Sequence, residues 1–241
     1  MHWLASLLLL AALPARAYRP FDGTDAAVVQ RGELEIELGP AGLLREAGRR
    51  FLVAPALVAN LGILDRTELV LEARHHLLLG ASGGEARERL VDTALNVKSV
   101  LREGELQGAS GTSVALEIGL LLPTWHGDPG VGAIGAVIVS RKAAGATLHL
   151  NGAASLTRRQ RIELFASAIL EGPDAWPVRP VGEVFVQPEL GGDTGVSGLV
   201  GAIWRASAAL SFDAGVRLAR EAGDSVLELR AGLTFTLDLF G

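Results

Sequence analysis

Residues 226–240 read VLELRAGLTFTLDLF, and the alternation of their side chains decides the fold. From Leu227 to Leu239 every second residue is apolar, while the residues between them are glutamate, arginine, glycine, threonine or aspartate. Successive side chains of a strand point to opposite faces, so this stretch predicts a strand with one apolar and one polar face. A strand that crosses a bilayer at a tilt needs about 9–11 residues. This strand is long enough to span a membrane.

The same alternation recurs along the chain and predicts about twelve strands separated by short breaks. An open sheet cannot lie in lipid, because its unpaired edge amides cost several kcal/mol each there. The sequence therefore predicts an all-β fold, a closed antiparallel up-and-down transmembrane β-barrel in residues 32–241. An even number of strands is expected when both termini lie on the periplasmic side. A soluble β-sandwich is the alternative, although its strands are usually about five or six residues long.

The composition excludes several other classes of protein. The chain has 241 residues, of which 49% are hydrophobic, yet no internal run approaches the roughly 18 uncharged apolar residues of a spanning helix. It contains no cysteine, which excludes disulfides, thiolate metal sites and a cysteine nucleophile. The formal net charge of −5 provides no basic surface for nucleic acid. We expect no cofactor, no metal site and no nucleic-acid partner.

The first residues are typical of an export signal. Residues 4–13 form a short apolar stretch, and Ala-Arg-Ala at residues 15–17 provides a small-x-small cleavage site. We therefore predict a signal peptide in residues 1–17 and a turn-rich periplasmic N-terminal segment in residues 18–31. We expect the exported protein to lie in the outer membrane, with outer-membrane lipid and the barrel-assembly machinery as its partners.

Several short motifs resemble a family of outer-membrane β-barrel proteins named for the MetA pathway of phenol degradation. The motifs are Arg-Pro-Phe at 19–21, Thr-Asp-Ala at 24–26, LGILDRTEL at 61–69, LLLPT at 120–124, LSFDAGV at 210–216 and AGLTF at 231–235. The resemblance implies a porin-like channel or transporter in the outer membrane for small molecules, including hydrophobic ones. The family has no established catalytic residues, so the resemblance implies none here.

The polar face of the predicted strands carries candidate lumen-lining residues, both acidic and basic. Such side chains suit a channel that filters solutes by charge. The same charges suit a non-conducting structural barrel in which ion pairs hold the lumen closed, and the sequence leaves this alternative open. Because acidic residues are the more numerous, we expect a weak preference for cations or neutral solutes. The candidates are Glu35, Glu37, Glu72, Arg74, Asp92, Lys98, Glu117, His149, Glu163, Arg217, Glu228 and Arg230.

A lipid-active outer-membrane hydrolase is a further alternative. It requires a serine, a histidine and a third orienting group close together at the outer rim. The chain offers these groups without a recognisable cluster, so we predict no enzyme activity and no catalytic residues. The available side chains are His75, His76, His126, His149, Ser82, Ser110 and Ser113. The carboxylate of Asp128 suits a cation ligand, but Asp-Pro-Gly at 128–130 indicates a turn first.

Overall fold

Twelve strands form a closed barrel in the computed structural model, which describes residues 19–81 and 86–239. Each strand is antiparallel to both of its neighbours, and the last strand pairs with the first. The predicted fold, a closed antiparallel barrel of about twelve strands, is confirmed. The predicted signal peptide lies outside the described residues.

The strands are long, from 9 to 16 residues. Their bounds are β1 (Glu33–Glu46), β2 (Arg49–Leu64), β3 (Thr67–Leu78), β4 (Glu88–Arg102), β5 (Ser113–Leu121), β6 (Gly132–Ala143), β7 (Ala146–Leu156), β8 (Ile162–Glu171), β9 (Val178–Pro188), β10 (Thr194–Arg205), β11 (Leu210–Glu221) and β12 (Asp224–Asp238). One turn of 3-10 helix, Glu105–Gln107, lies between β4 and β5. None of the helical structure in the described residues is long and apolar enough to cross a membrane.

The two parities of each strand face opposite environments. In β12 the side chains of Glu228 and Arg230 are buried inside the barrel, whereas Leu229 and Leu237 are exposed on its outer surface. Large apolar side chains dominate the exposed positions of the other strands as well. An outward apolar band around a polar interior is the arrangement of a membrane barrel and the reverse of a soluble sandwich.

Irregular pairing in β1 and β2 coincides with two prolines. The register shifts between Leu38 and Ala41, on either side of Pro40, and again between Val53 and Ala56, on either side of Pro55. Proline has no N–H to donate and is confined to such bulges or to edges. The nearby His75 lies on the apolar parity of β3, and its Nδ1 is 2.8 Å from the carbonyl oxygen of residue 54. This histidine therefore satisfies a backbone group at the bulge.

Residues 19–31 fold into the barrel, whereas the sequence predicted a periplasmic lead-in. Phe21 packs in a buried cluster with side chains of β8, β9 and β10, and Ala26 packs in another with side chains of β5 and β6. Where the segment leaves the barrel, a Cβ at Gly62 would lie 1.9 Å from the carbonyl oxygen of Gln30. The close approach of these two backbones thus requires glycine. We refer to residues 19–31 as the N-terminal segment.

Arginine at Val200 is expected to destabilise the barrel far more than arginine at Val196. Both valines lie on the outer face of β10, but Val200 is at mid-strand with 69% exposure and Val196 is the third residue of the strand with 48% exposure. An arginine on the lipid face costs about 2–4 kcal/mol at the bilayer midplane and about 0–1 kcal/mol near the interface. Urea unfolding in phospholipid vesicles measures both costs. Equal costs would contradict the assignment of the membrane-facing surface.

Candidate functional site

The barrel encloses a cavity of about 460 Å³ beside the N-terminal segment. Ten of the twelve sequence-predicted candidates line this cavity. Glu35 and His149 are buried in the barrel but lie outside the lining. The lining candidates are Glu37, Glu72, Arg74, Asp92, Lys98, Glu117, Glu163, Arg217, Glu228 and Arg230.

The largest cluster of charges surrounds Asp22 of the N-terminal segment. The Asp22 carboxylate accepts a hydrogen bond from Arg230 at 2.9 Å, and the guanidinium groups of Arg74 and Arg217 lie 3.8 and 3.9 Å from it. On the barrel wall Glu228 contacts the same three arginines, at 2.7 Å for Arg230. Arg230 also donates to the carbonyl oxygen of Pro20 at 2.5 Å. These side chains tie the N-terminal segment to β3, β11 and β12.

Asp22 is held as an anion by its surroundings. Burial raises the pKa of its carboxyl, but the attraction of the surrounding guanidinium groups, above all that of Arg230, holds the pKa below the ordinary value. The backbone of the same turn is captured from the opposite side, because the amides of Asp22 and Gly23 each donate to the carboxylate of Glu183 at 2.8 Å. A Cβ at Gly23 would lie 2.5 Å from Ser167 Oγ, so a side chain at this position would displace the wall residues that hold the turn.

A second cluster surrounds Lys98 of β4. Its ammonium group lies 3.2 Å from Glu68 and 3.9 Å from Asp25, and the Lys98 side chain is almost completely buried. Glu68 in turn accepts a hydrogen bond from the amide of Val29 at 2.7 Å. A buried charge is stable only when it is paired in this way. The cluster therefore fixes the second half of the N-terminal segment.

Arg19 anchors the first residue of the described segment. Its amide donates to Glu37 at 3.0 Å, and its guanidinium lies 3.6 Å from Asp213. Two glycines of the wall make room for this side chain, because a Cβ at Gly39 or Gly232 would lie 2.6 or 2.3 Å from a guanidinium nitrogen. Glu37 thus binds the segment and also accepts a hydrogen bond from the side-chain amide of Asn60 at 3.0 Å.

Sequence reasoning missed the residues of the wall that bind the segment through its backbone. Besides Glu68 and Glu183, the Asn151 side chain accepts from the amide of Thr24 at 3.0 Å, and Ser140 Oγ accepts from that of Ala26 at 2.9 Å. No periodic pattern distinguishes these residues from other polar side chains. The available signal was the Arg-Pro-Phe and Thr-Asp-Ala motifs, which coincide with the residues that the wall holds.

The cavity, which we call the vestibule, has two unlike sides, and Arg74 and Arg217 on these sides also border Asp22 of the segment. Arg74 and Asp92 lie 3.7 Å apart on one side, and the Asp92 side chain is 56% exposed to solvent. Phe165 and Phe185 pack on the other side with ring centroids 5.2 Å apart, and the guanidinium of Arg217 lies 5.8 Å from the Phe185 ring. Glu163, which lies two residues before Phe165 on the same face of β8, also lines the cavity there. This vestibule offers both apolar and charged contacts to a solute.

The structure brings one serine and one histidine together, at a position where they are occluded. Ser140 Oγ lies 2.8 Å from His149 Nδ1, and His149 Nε2 lies 3.3 Å from the carboxylate of Glu171. Ser140 is completely buried and already accepts the Ala26 amide. A hydrolase serine must instead be accessible to substrate. This cluster supports the wall rather than catalysis.

Three other candidates for chemistry have local structural partners. His126 Nδ1 is 3.0 Å from the carbonyl oxygen of Glu88, and Ser113 Oγ accepts from the amide of Leu106 at 3.2 Å. Asp128 accepts a hydrogen bond from Arg159 at 2.9 Å. Within residues 19–81 and 86–239 no group of three or more histidine, aspartate or glutamate side chains is arranged to hold a metal ion. Ser82 lies outside the described residues.

Solved structures of other proteins share this fold, among them an outer-membrane channel and a porin. The COG4313 outer membrane channel from Pseudomonas putida F1 has a TM-score of 0.64 at 10% identity, covering 90% of this chain and 100% of that one. The KdgM porin, in complex with disordered oligogalacturonate, has a TM-score of 0.56 at 9% identity, covering 83% of this chain and 98% of that one. No family model matches the sequence, and the comparison with curated proteins finds no match. At these identities the likeness establishes a shared barrel fold.

Proposed function

We propose that the protein is a porin-like outer-membrane channel for small solutes, and that its N-terminal segment narrows the lumen. The observation that carries this proposal is the mode of attachment of the segment. It contributes no strand to the barrel and is held by side chains of the wall. The segment can therefore leave the lumen while every strand pair stays intact.

The cavity supports a solute of modest size. Its volume of about 460 Å³ falls within the range of sites that hold drug-sized molecules, roughly 300–1,000 Å³. The phenylalanine pair of the vestibule suits an apolar group, and the charged side chains opposite suit a polar one. The motifs that resemble the phenol-degradation family, together with the shared fold of the two outer-membrane proteins, support this proposal.

The non-conducting structural barrel is the second candidate. It is favoured by the ion pairs themselves, since the side chains of Asp22, Glu228 and Arg230 cross-link the lumen in the way that a permanent plug would. The two candidates differ in one measurable property. A channel conducts ions when the complete chain is refolded into a planar bilayer, whereas a permanently plugged barrel does not.

Neutralising Asp92 and Glu163 together is expected to shift the reversal potential towards anion selectivity. These carboxylates line the vestibule, whereas Glu37 is already bound by the segment, and selectivity follows the charges that a moving ion meets. The measurement is the reversal potential of Asp92→Asn/Glu163→Gln in a KCl gradient. The control is Glu103→Gln, which removes an exposed acid that pairs with Arg66 outside the lumen. An equal shift in the control would place the filter elsewhere.

A further inference from the structure

Three arginines stand on the outer surface at the barrel rim opposite both termini. Arg45 is the last outward-facing residue of β1, Arg50 is the first of β2, and Arg220 is the last of β11. All three side chains are exposed. The described residues provide none of the three with an ion pair or hydrogen-bond partner for its side chain. We call these three residues the rim arginines.

Arg45 and Arg50 are direct cross-strand partners in the β1–β2 ladder. Side chains in this relation have Cβ atoms about 4.5–5.5 Å apart on the same face, and like charges there repel one another. Long arginine side chains can bend apart, but doing so leaves both charges without a counterion. Two facing guanidinium groups instead form a ready site for an anion that bridges them.

The acidic residues of the same rim lie on the inward parity. Glu46 follows Arg45, Glu221 follows Arg220, and Asp224 is the cross-strand partner of Glu221. Among the described residues, the acid of the neighbouring outer surface is Glu88 on β4, which is the cross-strand partner of Leu77 and lies 3.9 Å from His75. Among the described residues of these strand ends, the acids thus face the lumen and the rim arginines face the membrane.

The rim arginines border the apolar band. Leu43 and Leu218 lie on the same outer face, two residues closer to the middle of β1 and β11. Their exposures are 38% and 63%. With both termini on the periplasmic side, this rim lies at the outer leaflet. A lipid whose chains cover these leucines would place its headgroup beside the rim arginines.

We infer that the rim arginines bind the phosphate group of an outer-leaflet glycolipid, with Arg45 and Arg50 as the bridging pair and Arg220 as a flanking contact. This inference rests on the proposed membrane location but not on conduction. A guanidinium presents a planar fork of donors that matches phosphate oxygens in a bidentate manner. The bound phosphate removes the repulsion between the facing pair.

Native mass spectrometry of the complete refolded protein in detergent micelles tests the inference. The probes are diphosphoryl lipid A, lipid A stripped of both phosphates, and inorganic phosphate. The parent protein is expected to retain diphosphoryl lipid A, and Arg45→Gln/Arg50→Gln to bind it about tenfold or more weakly, since charge-assisted hydrogen bonds are lost. The matched control is Arg66→Gln/Arg102→Gln, which removes the same charge from the opposite rim and should leave binding unchanged.

A second measurement covers folding. Without lipid, the Arg45→Gln/Arg50→Gln variant should be at least as stable to heat as the parent, because like-charge repulsion is relieved, and only the parent should gain stability from lipid A. Conductance should stay unchanged, which separates this inference from the proposed function. Undiminished lipid binding by the rim variant, an equal loss in the control, or displacement of lipid A by equimolar inorganic phosphate would overturn the inference.

Discussion

A chain that begins at Gly32 is expected to fold into the same barrel and to carry a much larger current than the complete mature chain. The barrel begins at Glu33 and all twelve strand pairs lie within the remaining residues, so the wall loses no backbone pairing. The lumen loses the obstruction of residues 19–31. Single-channel conductance in planar bilayers measures the effect, and heat-modifiable mobility on gels confirms folding.

A point variant provides the intermediate case. Gly23→Val adds a side chain where even a Cβ would lie 2.5 Å from Ser167 Oγ and 2.9 Å from the Glu183 carboxylate, so it should weaken the hold of the wall on the segment. We expect more frequent opening than in the parent. A folded Gly32 chain that does not conduct would instead favour the structural barrel.

Replacing Arg230 by methionine is expected to lower the free energy of unfolding by about 3 kcal/mol or more. Removing one partner of a buried ion pair typically costs 3–5 kcal/mol, because the remaining charge stays buried and unpaired. Here Asp22, Glu228 and the carbonyl of Pro20 all lose a donor. The nearby guanidinium groups of Arg74 and Arg217 soften the loss, which places the effect at the lower end of this range.

The control for Arg230→Met is Arg66→Met. Arg66 also pairs with an acid, Glu103, at 2.9 Å, but both side chains are about half exposed. Exposed pairs contribute about 0–1 kcal/mol. Limited proteolysis adds a second readout, because loss of Arg230 should make residues 19–31 accessible before the barrel unfolds. Similar costs for the two substitutions would mean that the buried cluster does not stabilise the segment.

The wall was predictable from the sequence because its pattern is local. In β12 the alternation that separates Leu229 from Glu228 is visible without knowing any other strand. Prolines made the strand boundaries harder to predict. Residues 172–180 contain three of them, a composition typical of a turn, yet β9 begins at Val178 and includes Pro180. The Pro180 carbonyl accepts the amide of Gly172, beyond the last β8–β9 ladder pair, so its missing N–H costs no pair there.

The contents of the lumen were not predictable by the same means. Parity placed Arg230 and Glu228 inside the barrel, but it does not say which groups they meet. The partners of the N-terminal segment are remote in sequence, as in the Arg230–Pro20 hydrogen bond, which joins residues 210 positions apart. A turn-rich stretch without periodicity gives no sign of such contacts. Only the assembled ring brings them together.

That remoteness imposes an order on biogenesis. The segment binds β1 through Glu37, β6 through Ser140, β9 through Glu183 and β12 through Arg230, so its docking surface does not exist until the last strand has closed on the first. Contacts between distant parts of a chain are also the slowest to form. Each newly inserted molecule therefore passes through a stage with an empty lumen. We expect the barrel to pass ions during that interval between ring closure and docking.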